Sequence, residues 1–341
     1  MEIGNKKALF STLLGGGNEK KGSDVNTRLM RYKPAKDRGY LQMSYIKYKL
    51  YERNSELSVT LLDENKRLKL VSAMEKCGQW LVFRDYYTIN ENRLISADFC
   101  KKHLLCPLCA IRRGAKYLQA YLPKYEQVIR DNNNLKAYMI TLTVKNGDDL
   151  TERVQHLQKC YRKMLKDARN FNYGKKGYKY TEASKALGGV FSTEVKRGSG
   201  SGQWHPHLHM VWMCESEPDL KQLAKEWKEY TGDSHIVDIS PFYGDPVASF
   251  CEVFKYALKF SDMELDDTWE AYLRLSGKRL IDSFGILRGV EVDEDLRDQP
   301  IDEDLPYLDK FFAYTSQGYQ AFKAVDHLGN EIPLNTKLRV L

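Results

Sequence analysis

No apolar run in the chain reaches the roughly 18 residues that would make it a candidate membrane helix, and the N-terminus carries no signal-peptide pattern. The sequence predicts neither a membrane span nor secretion, and a cytoplasmic protein is expected. No internal repeat is found. Cysteine is sparse and uneven: of seven residues, three cluster at Cys100, Cys106 and Cys109, which points to metal binding in a reducing compartment rather than a disulfide framework. Histidine is equally scarce, at seven, yet three fall in the segment His205-Pro206-His207-Leu208-His209. Scarce ligand-forming residues that gather in this way mark the places to read for chemistry.

What is plentiful supports a packed globular protein. At 341 residues with 42% apolar and 12% aromatic content, the chain can build one large or two ordinary domains. The net charge of +7 hides an asymmetry: residues 262–309 hold fifteen Asp or Glu against five Lys or Arg, a local −10, so the rest carries +17. Such an excess is a reasonable footprint for a nucleic-acid backbone, although a solvated basic surface would look the same.

Residues 1–40, with Gly15-Gly16-Gly17 and little periodicity, read as a loose arm, and ordered structure is expected from near Tyr40. Residues 41–75 are helix-like, and 79–88 are strand-like around Trp80, Leu81, Val82, Phe83 and Tyr86. The spacing of Ile111, Leu118, Leu122, Tyr125 and Ile129 predicts a helix from Ile111 to Arg130, with Arg112, Arg113 and Lys116 largely off its apolar stripe. Ala137–Val144 alternates as a half-buried strand. A basic helix at 151–170, a Gly/Lys/Tyr-rich loop at 173–180, a helix at 217–230, a strand at 235–239 and a helix at 246–260 follow. This gives an α+β chain divided into an N-terminal arm (1–40), a cysteine-containing N-terminal region (41–130), a central domain (131–265) and a partly acidic C-terminal region (266–341).

The histidine segment reads as a metal site on a strand. Side chains alternate along an extended chain, so His207 and His209 share a face about 7 Å apart, at about 3.4 Å per residue, while Leu208 enters the core. Gly189–Val195 forms a second strand, joined through the glycine-rich Arg197–Gly202. In a hairpin centred on Gly200 and Ser201, Glu194 falls opposite His207, because 194 + 207 equals 200 + 201; a one-residue slip would turn it away. One carboxylate with two imidazoles suits Mg²⁺, Mn²⁺ or a similar ion with open coordination. Separately, Cys106-Pro107-Leu108-Cys109 is a Cys-x-x-Cys knuckle able to grip a structural Zn²⁺, with Cys100 and Cys77 as the first choice for the remaining ligands and His103 as competitor.

In the 246–260 helix, Val247, Phe250, Phe254, Ala257 and Leu258 share one face, and Glu252, Tyr256 and Lys259 form a row on the other, with Lys255 at its edge. A tyrosine set among charges rather than in the core can attack a phosphodiester if a metal polarises the phosphate. Lys259 or the ion would favour its phenolate, and Glu252 could activate a water at the same phosphate.

Together these segments resemble the HUH endonucleases, where U is a hydrophobic residue, and specifically the rolling-circle replication initiators of small plasmids of Gram-positive bacteria. The resemblance rests on Phe99-Cys100…Leu105-Cys106-Pro107-Leu108-Cys109…Arg112-Arg113, on Ile140–Asn146, on His205–His209, and on Glu252-Val253-x-Lys255-Tyr256-x-x-Lys259, in that order. It covers most of the chain after residue 75, including 277–290, and does not reach residues 1–40. The fold it implies is a central antiparallel sheet flanked by helices, here with a zinc-knuckle-like N-terminal segment and a C-terminal extension. It also implies that His207 and His209 hold Mg²⁺ or Mn²⁺, that Tyr256 is the nicking nucleophile, and that Glu252 serves in termination. The expected partners are plasmid double-strand origin DNA with a single-stranded nick site, and a host helicase and polymerase; Arg112, Arg113 and Lys255 are the expected DNA contacts. A transposase or relaxase using the same chemistry would be favoured by a second nearby tyrosine or a fused helicase, and neither is seen. The alternative from another class is a non-catalytic, zinc-containing DNA-binding regulator.

Overall fold

The computed structural model describes residues 24–51, 64–198, 200–241, 250, 253–254, 263–301 and 305–334. Among them the helices are α1 (Val25–Tyr51), α2 (Glu64–Lys76), α3 (Pro107–Asp131), α4 (Leu150–Asn172), α5 (Leu220–Thr231) and α6 (Leu265–Leu275). The strands are β1 (Trp80–Tyr86), β2 (Glu91–Ala97), β3 (Lys136–Thr143), β4 (Ala186–Arg197), β5 (Trp204–Cys214), β6 (Val237–Pro241), β7 (Ile281–Gly285), β8 (Leu308–Thr315) and β9 (Gly318–Asp326). Phe250, Val253 and Phe254 are also helical.

Two compact units result: Met1–Lys116 with Asp293–Leu341, and Tyr117–Val292. The boundary falls inside α3, and the region 266–341 is shared between the units. Ion pairs explain why the acidic segment belongs with the first unit. Asp298 meets Arg28 at 2.8 Å and also bonds Arg112, while Asp293 meets Lys116 at 2.9 Å.

In the first unit an antiparallel sheet of order β2-β1-β8-β9 packs its apolar side against α1 and the start of α3. Helix α1 begins at Val25, within the span that reads as a loose arm in the sequence. Its buried side mixes Val25, Leu29, Tyr32, Ala35, Met43 and Ile46 with Arg28, Lys36 and Gln42, and Pro34 lies inside it. Polar groups on a buried helical side erase the apolar period, and an internal proline removes a hydrogen bond, so the local signal is weak and tertiary packing holds the helix.

The second unit is built on an antiparallel sheet of order β6-β3-β5-β4-β7, with β5 in the middle. One sheet face presents Tyr138, Ile140, Leu142, Phe191, Leu208, Met210 and Trp212 to α4 and α5, forming the main core. Helix α4 fits that face because Leu150, Val154, Leu157, Tyr161, Met164 and Ala168 recur every three or four residues, and the Asp149 carboxylate caps its first amides. Trp227 of α5 donates its indole N–H to the Thr143 carbonyl at 2.6 Å, tying helix to strand. Next to the other face, Phe250 and Phe254 pack on Tyr125 and Tyr117 of α3, with ring centroids 5.1 and 5.4 Å apart. Ser192 of β4 donates to the Val253 carbonyl at 2.6 Å, which anchors this aromatic layer to the sheet.

Candidate functional site

The β4–β5 register pairs Glu194 with His207 and Ser192 with His209. It is the pairing that a turn centred on Gly200 and Ser201 requires. On the same pleat Thr141 of β3 lies beside His209. Leu208, between the histidines, is fully buried in the opposite face.

The three side chains meet at one oxygen. Glu194 Oε2 lies 2.6 Å from His207 Nε2 and 2.9 Å from His209 Nε2. Both rings tilt toward it, so their centroids are 4.9 Å apart, nearer than the two-residue backbone spacing of about 7 Å. All three are buried, with Glu194 2% exposed. His207 Nδ1 lies 3.2 Å from the His205 carbonyl oxygen. A carbonyl oxygen only accepts, so the tautomer that makes this contact carries its proton on Nδ1, and in that neutral form His207 turns a bare lone pair toward the carboxylate. Two acceptors that close repel, and a cation between them relieves the repulsion. A proton would serve, and so would a divalent ion held by the carboxylate and two imidazoles, a donor set that fits one.

Two neighbours orient the rings, and neither was singled out in the sequence. Thr141 Oγ1 sits 3.2 Å from His209 Nδ1. Asn146 Oδ1 sits 2.5 Å from His205 Nδ1, and the Asn146 amide donates to Ser201 at 3.0 Å. Burial first, then the neighbouring His207 and Lys196, hold the His205 imidazole below its ordinary value, favouring its neutral form. Thr141 and Asn146 both lie in the Ile140–Asn146 segment on which the resemblance rests, where neither was given a role.

Glu252, Lys255, Tyr256 and Lys259 lie outside the described residues. Their neighbour Val253, bonded to Ser192 directly opposite His209, is described, and with Phe250 and Phe254 it is fully buried.

In the first unit Cys77, Cys100, Cys106 and Cys109 converge, their sulfurs all within 4.8 Å of one another. Neighbouring sulfurs lie 3.5 to 3.6 Å apart. A tetrahedral ion with sulfurs at about 2.3 Å sets them about 3.8 Å apart, so the cluster fits one closely. His103 is not part of the group. Hydrogen bonds from Cys100, Cys106 and Cys109 hold the Cys77 thiol far below its ordinary value, while contacts with the other cysteines and burial hold Cys106 and Cys109 well above theirs, so the cluster by itself favours one thiolate. The buried Lys36 donates to the Cys77 carbonyl at 2.5 Å, bringing a positive charge beside the sulfurs.

The expected phosphate contacts fare differently. Arg112 is 5% exposed and spends its guanidinium on the Leu296 carbonyl, Tyr32 and Asp298, which corrects its reading as a DNA contact. A buried arginine beside an acid is a structural pair, and sequence gave no hint of Asp298 as its partner. Arg113 is partly exposed and donates to the Asp293 carbonyl at 3.1 Å.

A family of sequences described as replication protein matches residues 91–320, a segment that holds every proposed ligand except Cys77. The chain is 27% identical over 222 residues to a Protein rep of Streptococcus pneumoniae serotype 2 (strain D39 / NCTC 7466), covering 62% of each chain. It is 27% identical over 251 residues to a Protein rep of Lactiplantibacillus plantarum, covering 65% of this chain and 74% of the relative. No solved structure gives a significant match.

Proposed function

The chain belongs to the replication protein family, and from that membership and the geometry of the Glu194 cluster we propose that it initiates rolling-circle replication of a plasmid by nicking one strand at the double-strand origin. The observation that carries this reading is the convergence of both imidazoles on Glu194 Oε2, in a buried position one strand pair from Val253.

Glu194, His207 and His209 would hold Mg²⁺ or Mn²⁺, which when bound draws charge from the scissile phosphate. Tyr256 Oη attacks phosphorus, forming an aryl phosphate ester at the 5′ end as the P–O3′ bond breaks. The phenolic proton leaves with the departing 3′ oxygen, so a free 3′ hydroxyl remains to prime a host polymerase, with a host helicase opening the duplex. Lys259 supports the phenolate, and Lys255 and Arg113 contact the DNA backbone. After one round Glu252 takes a proton from water to cleave the regenerated junction, and the 3′ hydroxyl released displaces Tyr256 to close the circle. The four cysteines would hold Zn²⁺ as a structural ion.

The test uses single-stranded DNA from the plasmid's own origin. Wild-type protein should form a covalent adduct that chelator abolishes and Mn²⁺ or Mg²⁺ restores, and Tyr256→Phe should form none. An adduct that survives in that variant would reassign the nucleophile.

A further inference from the structure

Helix α4 packs only one side against the sheet, on the face away from the Glu194 cluster. Its outer side carries Lys159, Arg162, Lys163, Lys166 and Arg169, all exposed. Beyond it, residues 173–180 are exposed without interruption, and Tyr173, at 73%, alternates there with Lys175, Lys176, Tyr178, Lys179 and Tyr180.

The acids near this surface are already engaged. Asp167 pairs with Lys163, Glu229 with Lys179, and Asp282, which lines one of the hollows described below, with Arg279. Lys166, Arg169, Lys175 and Lys176 have no carboxylate partner among the described residues. Unneutralised cations gathered on one outward side repel one another, and a polyanion relieves that repulsion.

The relief of the surface narrows the polyanion. Arg162 and Lys166 stand on a crest between two hollows. One, of about 740 Å³, lies between α4 and β7 and also takes in Arg169 and Arg288. The other, of about 830 Å³, lies toward the 177–181 loop and the end of α5. A helix about 10–12 Å across with its side chains matches a major groove about 12 Å wide. Hollows on both flanks leave room for the two sugar–phosphate backbones.

We propose that the outer side of α4, with the 173–180 loop, seats double-stranded DNA. The inference rests on the nicking function above and assigns the duplex its own surface. Because α4 lies across the sheet from Glu194, this duplex is separate from the strand segment at the metal cluster. Arg162, Lys166 and Arg169, at i, i+4 and i+7, track the groove, and Lys175 and Lys176 reach phosphates beyond it.

The experiment compares the full-length wild-type chain with a Lys166→Ala/Arg169→Ala/Lys175→Ala/Lys176→Ala variant. Binding of origin duplex and of single-stranded origin DNA is measured between about 50 and 200 mM salt, the range where counterion release dominates. Each lost phosphate contact should lower the slope of log affinity against log salt by about 0.9, so a fall of about 2 to 4 is expected for duplex. Single-strand binding and cleavage should stay within about twofold of wild type, that is within about 0.4 kcal/mol by the tenfold-per-1.4 kcal/mol relation. A Lys166→Arg/Lys175→Arg/Lys176→Arg variant should keep the wild-type slope. An unchanged duplex slope in the alanine variant, or a loss of single-strand binding as large as that of duplex, overturns the proposal. Failure of the wild-type chain to cleave single strands would count against the nicking function, while the duplex comparison would still judge this surface.

Discussion

Glu194 and Asp298 are both carboxylates taken out of water, and they differ in what faces them. Asp298 has Arg28 at 2.8 Å and Arg112 beside it, cations that are part of the chain. Burial works to raise its carboxyl, but Arg112 and Arg28 outweigh burial and hold it well below the usual carboxylate range. A depressed acid stabilises the fold fully above its unfolded value, about 3.9, and that stability is lost as pH falls from there through the folded value. Asp298→Asn should therefore cost about 3–5 kcal/mol at neutral pH, because it strands two buried guanidinium groups. It should also flatten the decline of stability below about pH 4, and urea unfolding of both proteins at several pH values checks both effects. Glu194 instead faces two imidazole nitrogens, of which His207 Nε2 brings a lone pair when the ring is neutral. With both imidazoles it forms a donor set that could hold a divalent ion. Mn²⁺ at about a hundred times its dissociation constant should stabilise the wild-type chain by about 2.7 kcal/mol, read as a rise in melting temperature. Glu194→Gln should melt at the same temperature with and without Mn²⁺; an equal rise in the variant would place the ion elsewhere.

The β4–β5 hairpin is the element that turns this chemistry into a site, since one register brings Glu194, His207, Ser192 and His209 onto a single pleat. Ser192 does a second job there, bonding the Val253 carbonyl at 2.6 Å with both groups buried. Ser192→Ala should lose about 1 kcal/mol of stability, the usual worth of such a bond. If the bond positions the segment that carries Tyr256, the variant should also form the covalent adduct about tenfold more slowly with DNA affinity unchanged. A single-turnover measurement separates that from a merely structural role, which would leave the adduct rate alone. The hairpin was legible in sequence because a short glycine-rich turn leaves few registers and alternation rejects half of those. The part of helix α1 before Tyr40 was not legible, because Arg28 and Lys36 share its buried side and mask the period. Arg112 misled for the opposite reason. It stands off the apolar stripe of α3 and near the cysteines, and its partner Asp298 is 186 residues away. Local pattern reads the geometry of one element; it does not read a partner that only the tertiary fold supplies.

At the scale of the whole molecule, the two clusters among the described residues that could hold an ion differ in character and fall in different units. The Glu194 cluster lies in Tyr117–Val292 and the four cysteines in the other unit. That other unit has a sheet of four strands, and Cys77, Cys106 and Cys109 are counted in its core with Leu81, Phe83, Leu94 and Phe312. Four sulfurs within 4.8 Å of one another could not all become thiolates without a cation, so an ion there would hold the core together from inside. The second unit has its own core around Trp212, Trp227 and Met164 and, among the described residues, contributes no ligand to the cysteine cluster. Cys106→Ser should therefore bind less zinc and lose amide-exchange protection in β1, β2, β8 and β9, while β3, β4 and β5 keep theirs. Hydrogen exchange read by mass spectrometry, alongside metal analysis of the same samples, makes the comparison. Full zinc content in the variant would remove the cysteines as ligands. Equal loss of protection in β3–β5 would mean that the second unit depends on the cysteine ion for its fold, which its separate core argues against.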